Sequence, residues 1–318
     1  MSRALYSGVA GLKAHQTRMD VIANNISNVN TYGFKTSRVT FRDIFYQNMS
    51  AGSSAQEGGM GGTNPNQIGY GSAVASIDRD TTRAGFADTG YAMDCYINGE
   101  GYFVTYANDN LEEGTMEGIL YSRVGMFGFD AAGNLVDSTG RYVVGITVEA
   151  GLEGVRGEDT EDALYKIYYE PDSEENDYPE ALPLSNISIG ANGILTALGN
   201  DGNTIGFGPE GELINLTEEP DRESECLAIA MVNVDNPAGL TLEGESYYSA
   251  AANSGVITYS LAGSNNTGSI KTGGLEMSGV DIAKEFSDMI LTQRGFQANS
   301  RIITTVDAML EEVVNLKR

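Results

Sequence analysis

Residues 281–316 read DIAKEFSDMILTQRGFQANSRIITTVDAMLEEVVNL. Ile282, Met289, Phe296, Ile303 and Leu310 recur at seven-residue steps, and Phe286, Val306 and Val313 flank them. A period near 3.5 is that of a coiled-coil seam, and a helix cannot satisfy such a stripe alone. The other end of the chain carries a matching ladder of Leu5, Leu12, Met19 and Ile26, with Val9, Ile22 and Val29 beside it. The several hundred residues between the ladders carry none. Each stripe therefore calls for a partner, either the opposite end or the end of a neighbouring copy. The pattern points to assembly before it points to chemistry.

Working outward from the C-terminal ladder, Ser278 or Asp281 is placed to cap the helix start. A helix over 281–316 is about 54 Å long. Gly295 inside it costs roughly 1 kcal/mol relative to Ala, a cost that a close helix contact or a bend would explain. At the other end, a helix over 3–28 is about 39 Å long. Asn24, Asn25, Asn28, Asn30 and Gly33 then tolerate the left-handed backbone, so the helix is expected to end near residues 29–30 and the chain to turn by Gly33.

The middle of the chain reads differently. Residues 34–72 are expected as a connector or long loop. The run Gly58-Gly59-Met60-Gly61-Gly62 lacks the Lys-Ser/Thr that completes a phosphate cradle. Residues 73–148 and 184–275 alternate short runs of Val, Ile, Tyr, Phe and Thr with turn signals, the pattern of an antiparallel β domain. Tyr96-Ile97, the turn at Asn98-Gly99 and residues 102–106 read as a hairpin. Residues 121–129, a turn at 130–134 and Leu135-Val136 read as a second, and 141–148 as a further strand. Asp130, Asn134 and Asp137 lack the acidic spacing and closing Glu of a calcium loop. Later strands are expected at 186–189, 194–198, 226–234 and 256–261. Between the two β stretches, 149–183 holds twelve acids against Arg156 and Lys166 and reads as an outward-facing acidic insertion. The fold class is α+β, with terminal helices over 1–33 and 276–318 forming a coiled-coil domain.

Composition narrows the function. The 318 residues are 41% hydrophobic and carry a formal charge of −25. The nine bases and 36 acids between residues 41 and 275 put −27 in the middle and leave the ends near neutral. That balance argues against nucleic acid, because phosphate contact needs a basic surface. No stretch approaches the length of a membrane span, so no membrane insertion is expected, and no secretory signal pattern opens the chain. Cys95 and Cys226 form neither a metal spacing nor a disulfide framework and are expected free and buried. His15 is the one histidine, beside the seam, and alone it builds neither a triad nor a typical zinc site. Among 44 acids no catalytic pair stands out. No catalytic residue, cofactor site or metal site is expected.

Residues 23–35, ANNISNVNTYGFK, resemble the N-terminal signature of the flagellar rod and hook family, A-N-N-[IL]-[AS]-N-x-x-T-x-G-F-K. Asn24, Asn25, Asn28, Thr31, Gly33, Phe34 and Lys35 carry the match. Residues 292–301, TQRGFQANSR, are similar to the family's C-terminal motif through Gln293, Arg294, Gln297, Asn299 and Ser300. Residues 121–135 resemble its Y-[TS]-R-x-G-x-F-x-x-D-x-x-G-x-L pattern, and 149–183 does not follow the family.

The resemblance implies a structural subunit of a helical flagellar tube, with 37–47 closer to the hook branch and the distal rod branch as runner-up. It implies export by the flagellar type III apparatus and terminal arms that pair as helices only on polymerisation. The implied partners are further copies of the chain and the distal rod, hook cap and hook–filament junction proteins, in the extracellular part of the flagellum. A trimeric surface adhesin and an enzyme are the readings from other classes.

Overall fold

The computed structural model describes residues 2–54, 62–107, 118–156, 163–168, 187–199, 203–209, 211–218 and 220–316. The chain divides into two units. One comprises residues 1–29, 35–80 and 280–318, and the other 30–34 and 81–279. The class is α+β, with helices at both ends and an antiparallel β domain between them.

The first unit is built on α1 (Ser2–Ser27) and the C-terminal helix (Ile282–Asn315). The C-terminal helix starts where Asp281 accepts from the amides of Ala283 and Lys284, at 3.0 and 3.2 Å, satisfying two of the unpaired N–H groups of a first turn. At the end of α1, Ser27 Oγ and Asn28 Nδ2 donate back to the carbonyls of Ala23 and Asn24. These side chains compete with further helix for the backbone acceptors and help to stop it.

The 34–72 stretch, expected as a connector, carries three strands. Ser37–Asp43 pairs antiparallel with Ser72–Arg79 and slips register at Thr40/Phe41, and Tyr46–Ser50 pairs with Asn66–Gly69. Apolar residues every second position, Val39 and Phe41 among polar neighbours, are what such a strand requires. Most of the glycine run expected at 58–62 lies outside the described residues.

In the second unit, one antiparallel sheet runs in the order 155–156, 257–260, 231–234, 102–106, 142–147, 135–137, 125–129, 94–98 and 269–272. A four-stranded meander, Ile187–Ile189 to Leu213–Asn215, forms a separate sheet. Its inward residues Ile187, Ile189, Leu195, Ile205 and Phe207 join Cys95, Ile97, Phe103, Leu135 and Ile229 in one core cluster. A second cluster lies around Val104, Ile146, Ala228, Val232 and Tyr259. Cys95 and Cys226 are free and buried, and burial pushes both thiols up, Cys226 to about 11.

Two expectations from the β pattern meet different outcomes. Gly125–Phe129 and Leu135–Asp137 do form a hairpin. Its turn is closed by the Asp130 carboxylate, which accepts from the amides of Ala132 and Asn134 and from the Asn134 side chain. Asp94–Asn98 and Tyr102–Tyr106, by contrast, are not a hairpin. The first pairs with 125–129 and 269–272, and the second with 119–122, 142–147 and 231–234. Between them Gly99 and Gly101 take φ of +152° and +114°, and the Arg123 guanidinium draws on both their carbonyls. That side chain satisfies the backbone of a crossing segment, which a two-residue turn would have satisfied within itself.

The described parts of 149–183 are woven into the sheet. α2 (Val148–Glu153) is followed by Val155–Arg156, paired with 257–260, and Leu164–Lys166 pairs with 142–147. Leu164 and Ile167 are buried core residues. The acid-rich remainder, 157–162 and 169–183, lies outside the described residues.

Candidate functional site

Since no catalytic constellation emerges from the sequence, the candidate site is the helix pair that carries the ladders. α1 and the C-terminal helix run antiparallel. Gly8 faces Ile303, Gly11 faces Asn299, His15 faces Gly295, Arg18 faces Asp288 and Asn25 faces Glu285. The centre of this contact is built from small residues. A Cβ on Gly11 would meet the Asn299 amide at 2.5 Å, and one on Gly295 would meet the His15 imidazole at 2.6 Å. The bare backbone at these positions is what allows the helices their separation. Gly295 thus provides a close helix contact, one of the two reasons the sequence offered for it.

Polar residues hold the register. The Asn25 side chain is buried; its Nδ2 donates to the Ser37 carbonyl at 2.8 Å and to Glu285 Oε1 at 3.2 Å, and its Oδ1 accepts from the Ser37 amide at 3.1 Å. One amide therefore joins α1, the strand after it and the C-terminal helix. Burial is the main influence that pushes the Glu285 carboxyl above the ordinary carboxylate range, and the Asn25 hydrogen bond works against it. Arg18 and Asp288 form an ion pair of 2.9 Å, and the Arg18 guanidinium lies 5.9 Å from the Phe41 ring centre. The His15 ring centre is 6.0 Å from that of Phe41. Its Nδ1 is buried and has no hydrogen-bond partner among the described residues. Burial, and then the Arg18 charge, hold its pKa below 6.5.

The ladder residues divide by exposure. Ile22 and Val306 are buried. Leu5, Leu12, Met19, Ile26, Val29, Met289, Ile303 and Leu310 are half-buried. Ile282, Phe286, Phe296 and Val313 are exposed, as are Ile290 and Leu291 beside them. Among the signature residues, Asn24, Gln293, Arg294 and Gln297 are exposed, while Asn28, Thr31, Phe34, Asn299 and Ser300 are half-buried. Gly33 and Lys35 are buried with Asn25.

The heptad reading did not single out Gly8, Gly11, Ala14 or Thr292, all buried in the pair. The signal was present: Gly8, Gly11 and Ala14 recur every third residue, on one side of a helix. Thr292 is buried without penalty because its hydroxyl donates to the Asp288 carbonyl at 2.7 Å.

Three family patterns match the chain: Flagella basal body rod protein over residues 5–35, Flagellar hook protein FlgE/F/G D1 domain over 96–197, and Flagellar basal body rod FlgEFG protein C-terminal over 271–316. The chain is 36% identical over 319 residues to the flagellar basal-body rod protein FlgG of Bacillus subtilis, with 100% of both chains covered. The chain belongs to the flagellar rod and hook axial protein family. Within this family it is also 29% identical over 450 aligned positions to the flagellar hook protein FlgE of Borreliella burgdorferi, again with 100% of both chains covered. It is 32% identical over 319 positions to that organism's FlgG, with 100% of both covered. This family is a structural one.

Proposed function

We propose that this chain is a distal rod subunit, polymerising head to tail into the helical tube of the flagellar axis. One observation carries the reading. The FlgG relatives align with the 318 residues over 313 to 324 positions, whereas two FlgE relatives need 450 and 476. The hook relatives therefore contain a large extra portion for which this chain has no counterpart. The hook reading, drawn from residues 37–47, is the second reading, supported by the end-to-end alignment with FlgE.

In either reading the terminal helices carry the contacts between copies. Ile282, Phe286, Ile290 and Leu291, exposed in a single chain, are covered by neighbouring copies. A heterologous contact that does not close on itself generates an open helical filament. Its immediate partners are copies of itself and the adjoining axial proteins, reached through the flagellar export apparatus. No catalytic step is assigned to it.

Polymerising the purified chain and imaging it by electron cryomicroscopy tests the assignment. Straight, stiff tubes are expected; curved tubes that bend under flow would replace the rod reading with the hook. Closed trimers would overturn both.

A further inference from the structure

Two features lie outside the helix pair, one hollow and one protruding. The hollow is a groove of about 470 Å³ in the second unit. Phe127 and Leu275 line it as buried side chains, and Tyr32, Tyr91 and Met126 are exposed along it. Tyr91 is 72% exposed, on a turn closed by the Asp94 amide, which donates to the Tyr91 carbonyl at 3.2 Å. Aromatic residues and Met are the types enriched where proteins meet. The groove also holds Asp94 and Asp137, both buried. Asp137 accepts from the Thr139 amide and hydroxyl, the Arg141 amide and the Tyr247 hydroxyl. Asp94 accepts from the Thr89 hydroxyl alone, and neither carboxylate forms an ion pair among the described residues. A buried carboxylate with one donor, set among aromatic rings, favours the arrival of a cation.

The protruding feature is the corner between Ser37–Asp43 and Tyr46–Ser50 in the first unit. Phe45 is 81% exposed, with Tyr46 exposed after it. Arg42 is exposed three residues earlier and forms no ion pair among the described residues. The backbone beneath is fixed: the Ile44 amide donates to the Gly71 carbonyl at 3.0 Å, and the Tyr70 amide donates to the Phe45 carbonyl at 3.1 Å. An aromatic ring held in water on a fixed backbone is preorganised for a contact.

We propose that the corner 42–45 of one copy seats in the groove of a neighbouring copy, with Phe45 against Tyr91 and Met126 and Arg42 toward Asp94. Charge and chemistry select this occupant: the corner offers a cation and a ring, and the groove offers a carboxylate and a rim of rings. Plug and socket are different patches of one chain, so the contact is heterologous. Each copy gives its plug to one neighbour and its socket to another, which an open filament requires. The inference rests on the polymer reading, adds a contact to those of the helices, and holds for rod and hook alike. It joins separate copies and is independent of the state of the helical arms in a free chain.

The test uses full-length chains and reads the critical concentration for polymerisation by light scattering. Phe45→Ala and Tyr91→Ala are each expected to raise it about tenfold, as hot-spot truncations do. The β unit of Tyr91→Ala should melt as in the parent chain, because that side chain is mostly in water. The double variant should assemble no worse than either single one, since both changes remove the same contact. An unchanged threshold in either single variant, or multiplied effects in the double one, overturns the proposal. A second measurement keeps the plug intact: Asp43→Cys with Ser138→Cys, polymerised and treated with a short bismaleimide. Asp43 is exposed beside the plug, Ser138 lines the groove, and Cys95 and Cys226 are buried, with the treated parent chain reporting their background. A ladder of covalent oligomers is expected on a denaturing gel. Tubes that form without the ladder overturn the docking and leave the polymer reading standing. A parent chain that forms no tubes overturns the polymer reading, and the docking with it.

Discussion

At the scale of single residues, the helix pair is governed by what is left out. Gly295 lowers helix propensity by roughly 1 kcal/mol relative to Ala, and in return its bare Cα makes room for an imidazole. Gly295→Ala regains that propensity but places a methyl group 2.6 Å from the His15 ring. Overpacking of this kind costs about 1–3 kcal/mol, so the net expectation is a loss of up to about 2 kcal/mol in the denaturant stability of the first unit. Adding His15→Ala should recover part of that loss; a double variant no more stable than Gly295→Ala would contradict the contact. His15 also supplies a pH dependence. Arg18 on its own helix is the charge beside it, Gly295 opposite is uncharged, and Phe41 supplies the remaining wall. Its pKa is held below 6.5, so the fold prefers the neutral ring. The contribution is complete above pH 6.5 and is lost as the pH falls through the lower folded-state value. Thermal melts of His15→Gln between pH 7 and pH 5 should show a smaller drop than the parent chain, and an identical drop would remove His15 as the cause.

At the scale of elements, the seam and the outer stripe of the C-terminal helix make separable predictions. Ile303 packs over Gly8, with its Cγ1 3.2 Å from the Gly8 Cβ position. Ile303→Asp buries a carboxylate in that contact, so it should block polymerisation while the β unit keeps its near-ultraviolet dichroism and melting. Normal tubes from this variant would sink the assembly role of the seam. Phe286 is 50% exposed in the single chain. Phe286→Asp should therefore change monomer stability by no more than about 0.5 kcal/mol and still raise the concentration needed for assembly at least tenfold. An unchanged threshold would place the neighbouring copy on another face.

At the scale of the whole molecule, charge opposes assembly. Each copy carries a formal −25, concentrated between the two near-neutral ends. Packing such copies side by side is repulsive over roughly 30 Å in 0.01 M salt but only about 10 Å in 0.1 M salt. Light scattering should show the critical concentration for polymerisation falling as sodium chloride rises across that range. A rising threshold would mean that attraction between basic arms and acidic surfaces dominates instead.

Much of this was legible in the residues. The ladders, a cap at Ser278 or Asp281 and the asparagine-rich stop after α1 are local signals, and local backbone chemistry sets where such helices begin and end. The signature residues gave the family before any coordinate did. The hairpin expected at residues 96–106 was not legible, because Asn98-Gly99 is compatible with a turn and with a crossing alike. Arg123, more than twenty residues on, supplies the donors that decide between them. The strands inside 34–72 and the burial of Ile167 were hidden for a related reason, since their partners lie far along the chain. The sequence by itself determined that the ends are helices with apolar faces in need of partners. Only the tertiary structure decided that glycines set their closest approach and that Asn25 sets their register. Those properties depend on which backbones come within a few ångströms of each other, and periodicity along one strand of chain carries no record of that.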